Sequence, residues 1–133
     1  MQHHVLVIDD EPEIHEVIGL QLANTRYELL DAADGEQGIE LLNANALTVD
    51  VIICDVRMPK IDGIEAVAYF RREYPSTPVI VLTGYPDVNL AVDFMRQGAF
   101  EYLVKPVEKE VLVDTVDRAA SQRKLFGRAK PDA

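Results

Sequence analysis

Four short apolar runs constrain the fold of this chain more than any other feature, because each ends on a polar residue that can do chemistry. The runs occupy residues 5–8, 51–54, 79–82 and 103–104. The polar residues that follow them are Asp9, Asp10, Asp55, Thr83 and Lys105. Continuous apolar runs of this kind are typical of parallel strands that are covered on both faces. The carboxyl ends of parallel strands share one edge of a sheet, so these side chains are predicted to lie close together.

Helical segments separate the apolar runs. After the first run, Glu11-Pro12-Glu13 is typical of a helix start. The full pattern predicts five strands that alternate with five helices, and such alternation indicates an α/β fold with helices on both faces of a parallel sheet. For five strands we expect one doubly wound sheet of order 2-1-3-4-5, as in flavodoxin-like proteins, with a crevice beyond the carboxyl ends of the first and third strands. Asp9, Asp10 and Asp55 fall beside that crevice.

The boundaries of several elements can also be predicted. We expect strands at residues 5–8, 27–30, 49–54, 79–82 and 102–104. The first helix should end near Asn24, residues 43–48 should form a loop, and the last helix should start at Glu108 and continue to about residue 124. Residues 1–123 are therefore expected to form one domain, with residues 124–133 as a basic tail or the start of a linker.

Composition narrows the class of protein. The length of 133 residues suits one domain with its own core. No apolar stretch approaches the about 20 residues that span a bilayer, and no signal-peptide pattern opens the chain, so we expect a cytoplasmic protein without a membrane anchor. The single cysteine, Cys54, is predicted to be a small buried hydrophobe. His3 and His4 are expected to be solvated and show no zinc-ligand spacing, so any metal must take oxygen ligands.

The charge of the chain is strongly negative but uneven. The net charge is −10, which argues against direct nucleic-acid binding by this domain. From Arg118 onward, five basic residues stand against one acidic residue, which makes this segment +4 and leaves −14 for residues 1–117. An acidic body is thus followed by a basic tail.

The predicted edge has the composition of a phosphoryl-transfer site. Two carboxylates about 4 Å apart repel each other by about 4 kcal/mol at an effective dielectric constant of about 20, so the cluster needs a cation or protons. Few oxygen ligands on a shallow edge suit Mg²⁺, which often shares its coordination sphere with a phosphate. Asp55 is the best candidate for a nucleophile that forms an acyl phosphate. Lys105 would neutralise the phosphoryl oxygens, and the Thr83 hydroxyl would donate a hydrogen bond to them.

These residues resemble the receiver domains of two-component response regulators. The resemblance covers about residues 4–123. Its motifs are Val-Ile-Asp-Asp-Glu at 7–11, Cys-Asp-Val-Arg-Met-Pro at 54–59, Asp-Gly at 62–63, Leu-Thr-Gly at 82–84 and Val-Lys-Pro at 104–106. The segments at 84–88 and 95–99 are similar to receivers of nitrogen-regulator-type transcription factors. The resemblance implies a phosphoryl-accepting signalling switch that acts on itself and turns over no substrate.

The resemblance also implies roles for single residues. Asp55 would be the phosphoacceptor, and Mg²⁺ would be bound by Asp10, Asp55 and the backbone carbonyl of Arg57, with Asp9 acting through a water. Lys105 would pair with the acceptor and then with the phosphoryl group, and its bond to Pro106 would be cis. Thr83 and Tyr102 would form the switch pair.

Further expectations concern lifetime and partners. Arg57 and Tyr85 are expected to tune the lifetime of the phosphoryl group, and Gly84 to loosen its loop. The implied partners are a histidine kinase or phosphotransfer protein and, after activation, a second copy of the chain through the fourth helix, fifth strand and fifth helix. The output would be a partner or a following domain, with transcription regulation as one form.

Two other hypotheses stay open at the level of sequence. A phosphohydrolase of the haloacid-dehalogenase type also uses an aspartate, Mg²⁺, a hydroxyl and a lysine, but it separates its two first-strand aspartates by one residue, whereas Asp9 and Asp10 are adjacent. A flavin- or nucleotide-binding module would share the fold, but no glycine-rich phosphate loop follows the first run.

Overall fold

The strands and helices of the chain alternate as the sequence predicts. The computed structural model describes residues 3–56 and 63–127, with the backbone alone for 124–127. The elements of this part of the chain are, in order, β1 (His3–Ile8), α1 (Pro12–Gln21), β2 (Tyr27–Ala32), α2 (Gly35–Asn45), β3 (Val49–Cys54), α3 (Gly63–Glu73), β4 (Val79–Thr83), α4 (Val88–Gln97), β5 (Glu101–Val104) and α5 (Lys109–Gly127).

The sheet confirms the predicted topology. Its five strands run in the order β2-β1-β3-β4-β5, and every neighbouring pair is parallel. Ile8 at the end of β1 pairs with Cys54 at the end of β3, and Thr83 at the end of β4 pairs with Val104 at the end of β5. The residues that follow these ends therefore start from adjacent points on one edge of the sheet.

The core consists of two layers, one on each face of the sheet. Side chains of β1 alternate between them: Leu6 and Ile8 pack with residues of α2, α3 and α4, whereas Val5 and Val7 pack with residues of α1 and α5. Cys54 is a fully buried thiol in the first layer, as predicted. Strands covered on both faces explain why the apolar runs are continuous rather than alternating.

The ends of three helices show what stops them or where they differ from the prediction. Helix α4 is capped at both ends: the Asp87 carboxylate accepts the N–H groups of Asn89 and Leu90, and Gly98 follows the helix in the left-handed conformation. In contrast, α1 ends at Gln21 instead of near Asn24, which has a φ of 66° that a right-handed helix cannot contain. Helix α2 extends to Asn45, into the segment predicted to be a loop.

The two histidines at the start of the chain differ from the expectation. His3 and His4 are not solvated but belong to β1, and His4 is only 8% exposed. His3 Nδ1 lies 2.7 Å from Asp50 Oδ2, and His4 Nδ1 lies 3.0 Å from Thr48 Oγ1. The backbone N–H of His4 also donates to the Thr48 carbonyl, so pairing with the start of β3 extends the first strand.

The described helices do not suit a membrane crossing. Within residues 3–56 and 63–127, none combines the length and the apolar character that a span requires.

Candidate functional site

Three carboxylates meet where β1 and β3 end. The backbone N–H of Asp55 donates to the Ile8 carbonyl at 2.9 Å, which holds the two strand ends side by side. Asp9, Asp10 and Asp55 each offer an oxygen that lies within 4.8 Å of the others. Asp9 and Asp55 are 2% and 5% exposed, whereas Asp10 is exposed. The predicted acidic cluster therefore exists, with one member open to solvent.

Lys105 joins this cluster from the end of β5. Its Nζ lies 2.8 Å from Asp9 Oδ2, 3.1 Å from Glu11 Oε1 and 3.8 Å from Asp55 Oδ2. The ammonium thus donates to Asp9 and Glu11 and faces Asp55 without a hydrogen bond. Sequence reasoning did not assign Glu11 to the site, although its place in the Asp-Asp-Glu run could have suggested it.

The charge of Lys105 is determined by opposing effects. Burial disfavours the ammonium, but the hydrogen bond and charge of Asp9, the charge of Asp55 and the hydrogen bond to Glu11 together outweigh it. The pKa of Lys105 is therefore raised above its ordinary value. The site consequently holds a fixed positive charge at neutral pH.

Asp55, the candidate acceptor, is held by the backbone N–H of the next residue and packs closely against a glycine. The N–H of Val56 donates to Asp55 Oδ1 at 2.8 Å. Gly63, at the start of α3, packs so tightly that a Cβ at its position would lie 2.1 Å from the Asp55 carbonyl oxygen. Its N–H also donates to the Val56 carbonyl. The glycine of the predicted Asp-Gly pair is thus required for close approach of the backbone. Arg57 and Asp62 lie outside the described residues.

The two members of the predicted switch pair have different environments. Thr83 is fully buried, and its Oγ1 accepts the Tyr85 N–H at 3.0 Å. Tyr102 is half-buried, stacks on Phe94 at 6.3 Å between ring centroids and accepts the Asp87 N–H with its hydroxyl oxygen at 3.3 Å. Across the β4–β5 pair, Thr83 lies opposite Val104 rather than Tyr102.

A cleft of about 370 Å³ opens over the carboxylates and the lysine. The residues that line it are Asp10, Glu11, Asp55, Gly84, Tyr85 and Lys105. A Cβ at Gly84 would lie 3.8 Å from Lys105 Cδ, an ordinary contact distance. The peptide bond between Lys105 and Pro106 is cis, as predicted.

The cluster suits a divalent cation with oxygen ligands. Among the described residues, no hydrogen bond or ion pair occupies the Asp10 carboxylate, which is exposed beside two buried carboxylates. One lysine cannot balance three aspartates and Glu11, so negative charge remains at the cleft. Mg²⁺ keeps several waters and needs few protein carboxylates, and this donor set fits that requirement.

Comparisons with known proteins agree with this geometry. A family model described as the response regulator receiver domain matches residues 5–117. The transcriptional regulatory protein GlrR of Escherichia coli K12 is 36% identical over 119 residues, which cover 90% of this chain and 26% of that protein. The DNA-binding transcriptional regulator NtrC of the same strain is 38% identical over 118 residues, 88% of this chain and 24% of that protein.

A solved structure gives a similar result. A response regulator receiver domain protein from Clostridium thermocellum superposes with a TM-score of 0.87 at 35% identity, over 93% of this chain and 98% of that chain. In contrast, the chain spans only about a quarter of the length of the two curated relatives.

Proposed function

The chain belongs to the response regulator receiver domain family of two-component signalling, and on this premise we propose that it is a phosphoryl-accepting switch with Asp55 as the acceptor. One observation carries the proposal: Asp55 lies beside the carboxylates of Asp9 and Asp10 and the ammonium of Lys105 at one edge of the sheet. A nucleophile, a cation site and a fixed positive charge are the parts that phosphoryl transfer to a carboxylate needs.

The donor would be a phosphohistidine of a histidine kinase or phosphotransfer protein. A carboxylate oxygen of Asp55 attacks phosphorus, the bond from phosphorus to the imidazole nitrogen breaks, and an acyl phosphate remains on Asp55. When bound, Mg²⁺ would neutralise charge on the transferring group. Asp10, Asp55 and the Arg57 carbonyl would hold it, with Asp9 acting through a water. Because Asp55 and Lys105 are already held in place, positioning and electrostatics would supply most of the rate enhancement of phosphoryl transfer.

Lys105 would change partners during the reaction. Its ammonium now donates to Asp9 and Glu11 and lies 3.8 Å from Asp55 Oδ2. Phosphorylation replaces the single negative charge of the Asp55 carboxylate with the about two negative charges of an acyl phosphate, within reach of this ammonium. We expect Lys105 to turn toward the new oxygens, because a charge-assisted bond to phosphate is stronger than its exposed contact with Glu11.

Thr83 and Tyr102 would transmit the change to the surface. Donation by the Thr83 hydroxyl to a phosphoryl oxygen would draw this side chain toward Asp55 and leave space for Tyr102. To turn inward, Tyr102 must give up its contact with the Asp87 N–H and its stacking on Phe94. The phosphoryl group can shift this equilibrium only by its different contacts in the two states.

The surface formed by α4, β5 and α5 is the proposed output face. Its exposed apolar side chains are Val88, Val92, Met95, Val104 and Val111. Exposed apolar groups of this kind suit a protein partner, including a second copy of the chain after activation. Relatives such as GlrR are transcriptional regulators by name, so control of transcription is the proposed form of output.

Two flanking residues would tune how long the phosphoryl group persists. Tyr85 lines the cleft directly, and Arg57 follows the acceptor by two positions. By the family resemblance, we expect both positions to border the path of a hydrolytic water. The protein would thus phosphorylate and dephosphorylate only itself.

Intact mass spectrometry tests the proposal. The protein is incubated with Mg²⁺ and acetyl phosphate, and the same is done with Asp55→Asn. We expect one phosphoryl adduct that is stable in acid and labile in base, and none in the variant. Absence of an Mg²⁺-dependent adduct would overturn the proposal, as would turnover of a phosphate ester that Asp55→Asn retains and Asp10→Asn loses.

A further inference from the structure

His15 connects α1 to the acidic cluster through two short contacts. Its Nε2 lies 2.8 Å from the backbone carbonyl oxygen of Asp9, and its Nδ1 lies 2.7 Å from Asp31 Oδ1 at the end of β2. The side chain is only 17% exposed. One imidazole ring therefore links the first helix, the loop after β1 and the neighbouring strand.

The contact with Asp9 has a defined direction. A backbone carbonyl oxygen only accepts hydrogen bonds, so His15 Nε2 donates to the Asp9 carbonyl. The contact between Nδ1 and Asp31 holds the other side of the ring and so orients Nε2 toward Asp9. This is the arrangement by which a carboxylate, through a histidine, fixes a third group.

The Asp9 carbonyl is one of several groups that fix the loop after β1. The Asp9 N–H donates to the Ala32 carbonyl at 3.1 Å, and Asp9 Oδ1 accepts the Glu11 N–H at 2.9 Å. The Asp9 carbonyl belongs to the peptide bond that leads into Asp10. Since no hydrogen bond or ion pair among the described residues holds the Asp10 carboxylate, its position depends on that peptide plane.

We propose that His15 is a positioning residue that fixes the Asp9–Asp10 peptide and so presents the Asp10 carboxylate to the divalent cation. The inference rests on the metal site of the proposed function. His15 does not touch the cation itself, and it acts through Asp9. Groups that orient ligands in this way typically contribute 10- to 100-fold to metal affinity, and because Asp10 is one ligand of several we expect the lower end of that range.

Three variants separate this role from a structural one. His15→Leu removes both ring nitrogens, and His15→Arg offers N–H donors to both oxygens. His3→Leu is the matched control, because His3 makes an equally short contact with Asp50 at the opposite end of β1. Calorimetric titration with Mg²⁺ alone gives the affinity of each, and the thermal unfolding midpoint in the absence of Mg²⁺ gives its stability.

The expected result is selective. His15→Leu should bind Mg²⁺ about 10-fold more weakly, His15→Arg should recover to within about threefold of the original protein, and His3→Leu should bind as the original does. The unfolding midpoint should fall alike in His15→Leu and His3→Leu, whereas only His15→Leu should lose affinity for Mg²⁺. Unchanged affinity in His15→Leu, or an equal loss in His3→Leu, would overturn the inference.

Failure of the proposed function would appear differently. If the original protein binds Mg²⁺ but forms no acyl phosphate, the proposed function fails while the affinities of the variants still decide the role of His15. If the original protein binds no Mg²⁺, both fail together.

Discussion

Without Mg²⁺, Asp10→Asn should be more stable than the original protein. In saturating Mg²⁺, the variant should be the less stable of the two. Asp10 is the exposed member of the acidic cluster, and its carboxylate has no partner among the described residues. Asparagine keeps the shape of the side chain and removes the charge. The substitution therefore isolates the repulsion that the folded chain tolerates at this site.

The size of the effect follows from the geometry. Oxygens of Asp10 and its two neighbours lie within 4.8 Å, where two unit charges repel by about 3.5 kcal/mol at an effective dielectric constant of about 20 and by about 0.9 kcal/mol in water. Exposure places Asp10 near the lower value, and Lys105 offsets much of the charge of Asp9. A negative charge near the start of α1 contributes a few tenths of a kcal/mol in the opposite direction. We expect a net stabilisation of about 1 kcal/mol.

Urea unfolding with a chelator and then with saturating Mg²⁺ measures both parts of the effect. At Mg²⁺ concentrations about 100-fold above its dissociation constant, the original protein gains about 2.7 kcal/mol. Asp10→Asn loses a ligand and should gain far less, so the order of the two stabilities should cross. Asp93→Asn, an exposed aspartate in α4, controls for net charge. A variant less stable than the original protein in chelator, or stabilities that do not cross, would refute the reasoning.

Three further predictions concern the packing around the site and the core. Gly63→Ala should unfold or strongly destabilise the protein, since a Cβ there would lie 2.1 Å from the Asp55 carbonyl oxygen, and circular dichroism would show it. Gly98→Ala should cost about 1 kcal/mol or more in urea unfolding because φ is 102° there, whereas Gly84→Ala should change stability by less than about 0.5 kcal/mol; equal costs would contradict this. Burial and a hydrogen bond to an α5 carboxylate raise the pKa of Tyr27 from 10.0 to about 12. The contribution of this shift to the free energy of unfolding is thus complete below pH 10 and should fall by about 2 to 3 kcal/mol as pH rises to 12. In alkaline urea titrations, Tyr27→Phe should not show this fall.

The sheet and the acidic cluster could be predicted because both follow from local sequence. An apolar run covered on both faces identifies a parallel strand, and the residue after it must lie at the carboxyl edge. Asp9 and Asp55 were placed correctly by that rule alone. The rule also places Lys105 at this edge, but its hydrogen bonds to Asp9 and Glu11 were not predicted, because the resemblance pairs Lys105 with Asp55.

Other contacts depend on how far a side chain extends, which cannot be read from the spacing of apolar residues in the sequence. Glu11 was predicted as a helix-start residue, yet its long side chain extends to Lys105. His15 lies on the predicted first helix, but its contact with Asp31 needs the pairing of β1 with β2 and the turn between them. His3 and His4 were expected in solvent because the apolar run starts after them, whereas pairing with the backbones of β2 and β3 extends the strand to include both.

The identity of the acceptor is the central claim, and chemical mapping tests it most directly. After treatment with Mg²⁺ and acetyl phosphate, reduction with borohydride converts an aspartyl phosphate to homoserine, and peptide mass spectrometry then locates the change. The account predicts homoserine at position 55 and at no other aspartate, with Asp9 and Asp10 intact. Homoserine at position 9 or 10, or a phosphoryl adduct that leaves position 55 unmodified, would contradict it.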